Sequence, residues 1–190
     1  METSKALRIV KPHLTSARYE HTERVMETAV HLAKLYGSNE EKAAIAAVFH
    51  DYAKYRNLDE MKKWILSSYL PKDLLHYHHE LWHGPVGSLL VEREHGIIDP
   101  EIKDAIYYHT TGRAHMSTLE KVLFVADYIE PGRSFSGLEE VRDTANRNLD
   151  KAAWLVSRNT IQFLMGKENT IYPDTFHAYN DLTNKLSGGN

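Results

Sequence analysis

Apolar residues recur at helical spacing along almost the whole chain, so every element the pattern predicts is a helix. Residues 4–12 read as a short helix ended near Pro12, and Ser16 as the cap of a long helix from 17 to 36 stopped by Gly37. The stripe of that long helix is Val25, Met26, Ala29, Val30 and Ala33. His21 lies on or beside the stripe, and Arg18 one turn earlier. Ser38-Asn-Glu-Glu41 reads as a capping box that opens a helix from 39 to about 54, with Ala43, Ala44, Ala46, Ala47 and Val48 inward. In that helix Ala46, Ala47 and His50 share one face, while Ala44, Ala47, Val48 and Asp51 share the next. The small alanines point to a second helix packed close by.

Two short helices follow, 57–67 and 71–78, separated by Pro71. His79 to His83 spells H-E-x-x-H, the motif of zinc metalloproteases. That motif needs one continuous helix, and Gly84-Pro85 follows at once. Pro85 is read as the first position of a new helix, 85–95, with His83 as a loop residue just before it. Asp99 and Pro100 open a helix carrying Ile102, Ala105 and Ile106 that ends at His109-Thr-Thr-Gly112. Ser117-Thr-Leu-Glu120 is a second capping box. It starts the most apolar helix, 119–129, with Asp127 inside it, Pro131-Gly132 ending it and Arg133 following. Residues 139–146 read as helical, Asp150 as the cap of a long amphipathic helix to about Gly166, and 167–190 as mostly loop with a short helix near 174–186. The expectation is an all-α helical bundle in one domain over 1–190, with its core at about 16–165 and a tail over 166–190.

The chain has 190 residues, enough for a real core, and its 42% hydrophobic and 26% charged content is ordinary for a globular protein. A net charge of −3 provides no bulk field for a nucleic-acid polymer or an anionic membrane. An anionic substrate remains compatible if bound metal supplies local positive charge. Without cysteine there are no disulfides, iron–sulfur clusters or thiolate zinc sites, and a reducing cytoplasm is the expected compartment. The N-terminus lacks the apolar stretch of a signal peptide, and no run reaches transmembrane length. Histidine is abundant, at 12.

Six polar residues fall on apolar faces or at helix ends: His21, His50, Asp51, His83, His109 and Asp127. Each has a structural use. A lone His21 is more often a core histidine bonded to a carbonyl, His83 can serve as a helix-start residue, and His109 can place charge at a helix C-terminus. Asp127, inside Leu-Phe-Val-Ala-Asp-Tyr-Ile, needs a partner, which an Arg or Lys would also satisfy. Together, four imidazoles and two carboxylates suit two cations sharing one bridging carboxylate. Mixed nitrogen and oxygen ligands favour iron, manganese, zinc or cobalt over calcium or magnesium. Two such metals hold a bridging hydroxide at neutral pH and neutralise phosphoryl charge. The remaining histidines (13, 31, 76, 78, 79, 95, 115 and 177) read as surface or structural.

The order His21 … His50-Asp51 … Asp127 resembles the H…HD…D signature of the HD metal-dependent phosphohydrolases. A fuller set resembles the YqeK-type family of symmetrical dinucleoside tetraphosphate hydrolases with a di-iron centre. Its members are His21-Thr-Glu-Arg-Val, His50-Asp-Tyr-Ala-Lys, His83-Gly-Pro-Val-Gly, Ala105-Ile-Tyr-Tyr-His-Thr-Thr-Gly112, Met116-Ser, Ala126-Asp-Tyr-Ile-Glu-Pro-Gly-Arg133 and the tail Asn169-Thr-Ile-Tyr-Pro-Asp-Thr175. The match covers roughly 8–180. The resemblance implies His21, His50, Asp51 and Asp127 on one metal and Asp51, His83 and His109 on the other. It implies nucleotide contacts from Arg18, His21, Lys54, His109, Thr110, Arg133 and the tail residues Thr170, Ile171, Tyr172, Pro173, Asp174 and Thr175. Asp51, Lys54 and Arg133 take the catalytic roles in this expectation. The activity the resemblance implies is cleavage of diadenosine tetraphosphate by a metal-bound hydroxide to two ADP, and a homodimer is compatible. The rivals are a nucleotidase or deoxynucleotide phosphohydrolase on the same site, and a non-catalytic ADP- or GDP-binding protein that holds a metal.

Overall fold

The structure, a computed structural model, describes residues 1–188; positions 189 and 190 of the expected tail lie outside the described residues. The described residues form ten α-helices and three short 3-10 turns, with no strand. The helices are α1 (Thr3–Val10), α2 (Ser16–Leu35), α3 (Glu40–Phe49), α4 (Leu58–Ser67), α5 (His83–His95), α6 (Pro100–Tyr108), α7 (Thr118–Ile129), α8 (Leu138–Ala145), α9 (Leu149–Gly166) and α10 (Pro173–Leu186). None is long and apolar enough to cross a membrane.

Three caps sit one or two positions from where the sequence suggests. Thr15, not Ser16, caps α2, because Thr15 is still extended and its hydroxyl accepts from the Arg18 N–H. Asn39, not Ser38, caps α3 by accepting from Lys42. Asn148, not Asp150, caps α9, which frees the Asp150 carboxylate to pair with Lys121 and Lys185. The Ser117–Glu120 capping box forms as expected. Gly37 ends α2 with φ of +65°, a left-handed conformation that glycine adopts without a Cβ clash.

Larger differences lie at α3, α5 and the tail. The third helix stops at Phe49 rather than near 54, and His50 to Tyr55 is a run of turns. Its bonds tighten to three-residue spacing, from Tyr52 to Phe49 and from Lys54 to Asp51, while the His50 ring donates to the Ala47 carbonyl. His50 and Asp51 therefore lie at a helix end, not on a helix face. The fifth helix begins at His83, with Pro85 in its first turn, where its missing N–H costs nothing. His83 is a helical residue, not a loop residue. The tail carries a full helix, α10, packed on α9.

α2 packs on α3 and α7, α6 on α5 and α7, and α3 on α6. One continuous set of buried apolar side chains runs through these helices, including Ala6 and Val10 at one end and Ala178 and Leu182 at the other. The alanine-rich α3 is buried from Ala43 to Phe49 and lets α2, α6 and α7 converge on its C-terminal end.

Candidate metal centre

Five helices deliver one polar residue or pair each to that convergence point. His21 comes from the inner stripe of α2, His50 and Asp51 from the end of α3, and His83 from the start of α5. His109 is the residue that caps α6, and Asp127 lies in the last turns of α7. Glycine makes one of these approaches possible. A Cβ on Gly84 would stand 2.7 Å from the Tyr107 carbonyl oxygen and 3.3 Å from that of Ile106. The start of α5 thus lies against the end of α6, and His83 Nε2 comes within 3.0 Å of His109 Nε2.

Asp51 is the hub and is 2% exposed. Its Oδ2 is 3.1 Å from His50 Nε2 and 3.9 Å from His21 Nε2. Its Oδ1 is 3.1 Å from His83 Nε2 and 4.0 Å from His109 Nε2. Asp127 Oδ1 is 3.0 Å from His21 Nε2 and 3.9 Å from His50 Nε2. Two groups of ligand atoms lie close enough to share a cation: His21, His50 and Asp127, and His50, Asp51 and His109. His83 belongs with the second group, since it is nearer Asp51 than His109 is.

The ring orientations fit a metal. Each Nδ1 faces an oxygen: Glu130 for His21 (3.1 Å), Ala47 O for His50 (2.6 Å), Glu80 O for His83 (2.6 Å) and Ile106 O for His109 (2.7 Å). The Nδ1 hydrogen donates in each case, so each imidazole in its neutral form presents an Nε2 lone pair to the cluster. The His21 and His50 Nε2 atoms are buried without a hydrogen-bond partner. Bare lone pairs aimed at one another and at carboxylates repel unless a cation lies among them.

Positive charge, from ring protons or from a cation, is what steadies the two buried carboxylates. Burial pushes the Asp51 carboxyl up, but His50 and His83 outweigh it and hold it well below the ordinary carboxylate range. Burial acts likewise on Asp127, outweighed by His21, His50 and Arg133. Burial, with His83 and His50 adding to it, pushes His109 down to about 3. The imidazole at the end of α6 is neutral, so it does not serve as a positive charge on the helix C-terminus.

The other expected residues divide into those that reach the cluster and those that do not. Arg18 Nη1 lies 3.0 Å from Asp51 Oδ2. Arg133 grips Asp127 twice, at its carboxylate (2.7 Å) and at its backbone carbonyl (2.6 Å), and so is the basic partner that Asp127 needed. The Thr110 hydroxyl is 3.2 Å from His109 Nε2. The Lys54 ammonium instead pairs with Glu80 at 2.5 Å. In the tail, Tyr172 is buried edge-on against Tyr77 and Thr175 is buried in the first turn of α10, while Thr170 and Pro173 are exposed. Burial raises the half-buried Asp174 carboxyl. His79 is stacked on His78 outside the cluster, and the turn before α5 breaks the H-E-x-x-H spacing.

Two features are not evident from spacing. Glu130, 2% exposed, accepts from His21 Nδ1, Arg24 Nε (2.6 Å) and the Gly132 N–H (2.6 Å). Its one sequence signal is an acid immediately after the most apolar helix and before Pro-Gly. The second is a cavity of about 820 Å³ that opens from Asp127, His109 and Arg133 toward Tyr128, Phe135 and Phe163.

Residues 18–132, from Arg18 through Asp127 and Glu130, match the HD domain model, and the chain belongs to the HD-domain family. Its relatives narrow the class. Over 182 residues it is 52% identical to the protein of Halalkalibacterium halodurans named "Bis(5'-nucleosyl)-tetraphosphatase, symmetrical", covering 96% of this chain and 97% of that one. It is 51% identical to the Bacillus subtilis protein of the same name, covering 96% and 98%. A crystal structure from Clostridium acetobutylicum, described as a predicted HD superfamily hydrolase involved in NAD metabolism, superposes with a TM-score of 0.91 at 36% identity, covering 97% of this chain and 98% of that one.

Proposed function

We propose that this chain hydrolyses diadenosine tetraphosphate, or a close dinucleoside polyphosphate, symmetrically to two ADP. The observation that carries the reading is the two-sided environment of Asp51, one oxygen 3.1 Å from His50 and the other 3.1 Å from His83. That arrangement suits a carboxylate shared between two cations, with His21, His50 and Asp127 on one side and His83 and His109 on the other. Iron is the metal we favour, with manganese, cobalt and zinc also suited to these ligands. Bound there, two divalent metals supply the positive charge that acidifies water and draws charge from phosphoryl oxygens. The names of the full-length relatives support the choice of substrate.

In this reading water adds to one of the two central phosphorus atoms. The bridging P–O bond between them breaks, and the departing ADP takes the electron pair. Arg18 and Arg133 flank the cluster and offer planar N–H forks to phosphate oxygens. Thr110 and His109 lie at the same wall. Lys54 takes part if it leaves Glu80 for the substrate. Tail residues 170–175 contact a nucleotide through the turn that opens α10. A cytoplasmic location and a homodimer remain compatible with this reading.

Product analysis tests it. Protein purified without air and loaded with iron is expected to release ADP alone from diadenosine tetraphosphate. AMP plus ATP overturns symmetrical cleavage. Faster turnover of deoxynucleotides or mononucleotides in the same panel favours the nucleotidase rival. Tight ADP binding with no turnover at full metal occupancy favours a binding protein.

A further inference from the structure

The cavity beside Asp127 has no assigned occupant, and its lining has a definite chemistry. Its inner end is walled by His109, Asp127 and Arg133, and its outer part by Tyr128, Phe135 and Phe163. At about 820 Å³ it falls within the range of about 300–1,000 Å³ typical of small-molecule sites. Phe135 is 43% exposed and Phe163 is 62% exposed, so two large apolar rings stand open to solvent. Phe135 meets Tyr128 edge-on at 5.1 Å, which fixes the orientation of its ring.

The α9 wall is built on helical spacing. Val156 and the residues three, four and seven positions on, Asn159, Thr160 and Phe163, share one face, and all line the cavity. Asn159 is held in place: its Nδ2 reaches the Tyr128 hydroxyl (3.3 Å), and its Oδ1 accepts from Arg158 Nε (3.1 Å). The amide of Gln162 on the same wall supplies both a donor and an acceptor. Asp127 is the sole acidic residue in the lining, and it stands at the inner end beside Arg133. The space therefore runs from an end at the ligand cluster, where Arg133 can offer N–H donors to phosphate, to an aromatic, amide-bearing end with Arg158 on its α9 wall.

We infer that this cavity seats one of the two nucleosides of a dinucleoside polyphosphate, with its base against Phe135 and Phe163. The inference rests on the reading above and deepens it. Cutting such a substrate in the middle places its central phosphates at the Asp51–Asp127 cluster, so the two nucleosides leave the cluster in different directions. None of residues 170–175 lines this cavity, and Tyr172 of that tail packs on Tyr77 instead. The tail and the cavity thus provide separate seats for the two halves. Aromatic stacking is sequence-tolerant, so this seat accepts adenine or guanine.

Kinetics on the metal-loaded full chain test the assignment. Phe163→Ala removes an exposed ring whose loss leaves the core intact. It is expected to raise the KM for diadenosine tetraphosphate by about 10-fold, the scale of one base stacked on an aromatic ring. Most of the loss should fall in KM rather than kcat. Phe163→Trp keeps a stacking face and is expected to stay within about 2-fold of the parent, a rescue that a merely structural role does not predict. Adenosine 5′-tetraphosphate, with one nucleoside, serves as a competitive inhibitor. The parent should bind the dinucleotide more tightly than this probe, and Phe163→Ala should shrink that margin. An unchanged KM and an unchanged margin in folded, metal-replete Phe163→Ala overturn the cavity assignment while leaving symmetrical hydrolysis standing. No ADP from the parent itself overturns the functional reading, and this inference with it.

Discussion

Glu130 Oε1 lies 3.1 Å from His21 Nδ1, on the side of the ring opposite Asp127. The carboxylate holds the ring in one tautomer and turns the Nε2 lone pair inward. Burial pushes the Glu130 carboxyl up, but Arg24, His21 and the Gly132 N–H together hold it below its ordinary value, so it stays ionised. Glu130→Gln is therefore expected to weaken metal binding by about 10- to 100-fold, with helix content unchanged. Competition with a chelator, followed by metal analysis, reads the affinity directly.

Removing the hub should do more than removing one spoke. Asp51→Ala is expected to lower metal content from about two equivalents toward none, since each of its oxygens faces a different histidine pair. His50→Ala should deplete mainly one equivalent. Metal analysis of both variants, purified without air, compares them. Equal losses would count against Asp51 as the shared ligand.

Gly84 is a stability and alignment position at once. An added Cβ meets backbone oxygens of α6, which cannot move aside as a flexible side chain can. Gly84→Ala is expected to cost about 1–3 kcal/mol of stability and to separate His83 from His109. Urea unfolding gives the first quantity, and metal content the second.

Acid should expose a second ion pair far from the metal centre. Burial pushes the Asp150 carboxyl up, but Lys121 and Lys185 outweigh it, so its native value falls below 3.8. A depressed carboxylate contributes stability that is fully present above the unfolded value and is lost as pH falls through the native one. Asp150→Asn is expected to unfold about 0.5–1 kcal/mol more easily at pH 7. The gap from the parent should close as pH is lowered past 3.8 toward the native value. Unfolding midpoints of both proteins across that range check the sign, and a gap that widens on acidification would be inconsistent with it.

The residues that gather at the centre were legible because imidazoles and carboxylates in apolar context have few structural uses. Asp127 within Leu-Phe-Val-Ala-Asp-Tyr-Ile is the clearest case, and it proved to need both Arg133 and the histidines. Glu130 was not legible in the same way, because an acid after a helix end reads as an ordinary solvated charge. Its burial comes from α2, more than a hundred residues earlier in the chain, which lays His21 and Arg24 across it. Lys54 shows the reverse, since a cation near the His-Asp pair looks available in sequence and is paired with Glu80 in space.

Helical character, and which polar residues stand in apolar surroundings, can be read along the chain, because period and composition are local properties. Where α3 stops, that His83 opens a helix, that α10 is a full helix on the core, and that a cavity adjoins Asp127 emerge only in the folded chain. These depend on what packs against what. The small side chains of α3 and the absent side chain of Gly84 set how closely helices distant in sequence approach. That distance decides whether six scattered residues form one centre.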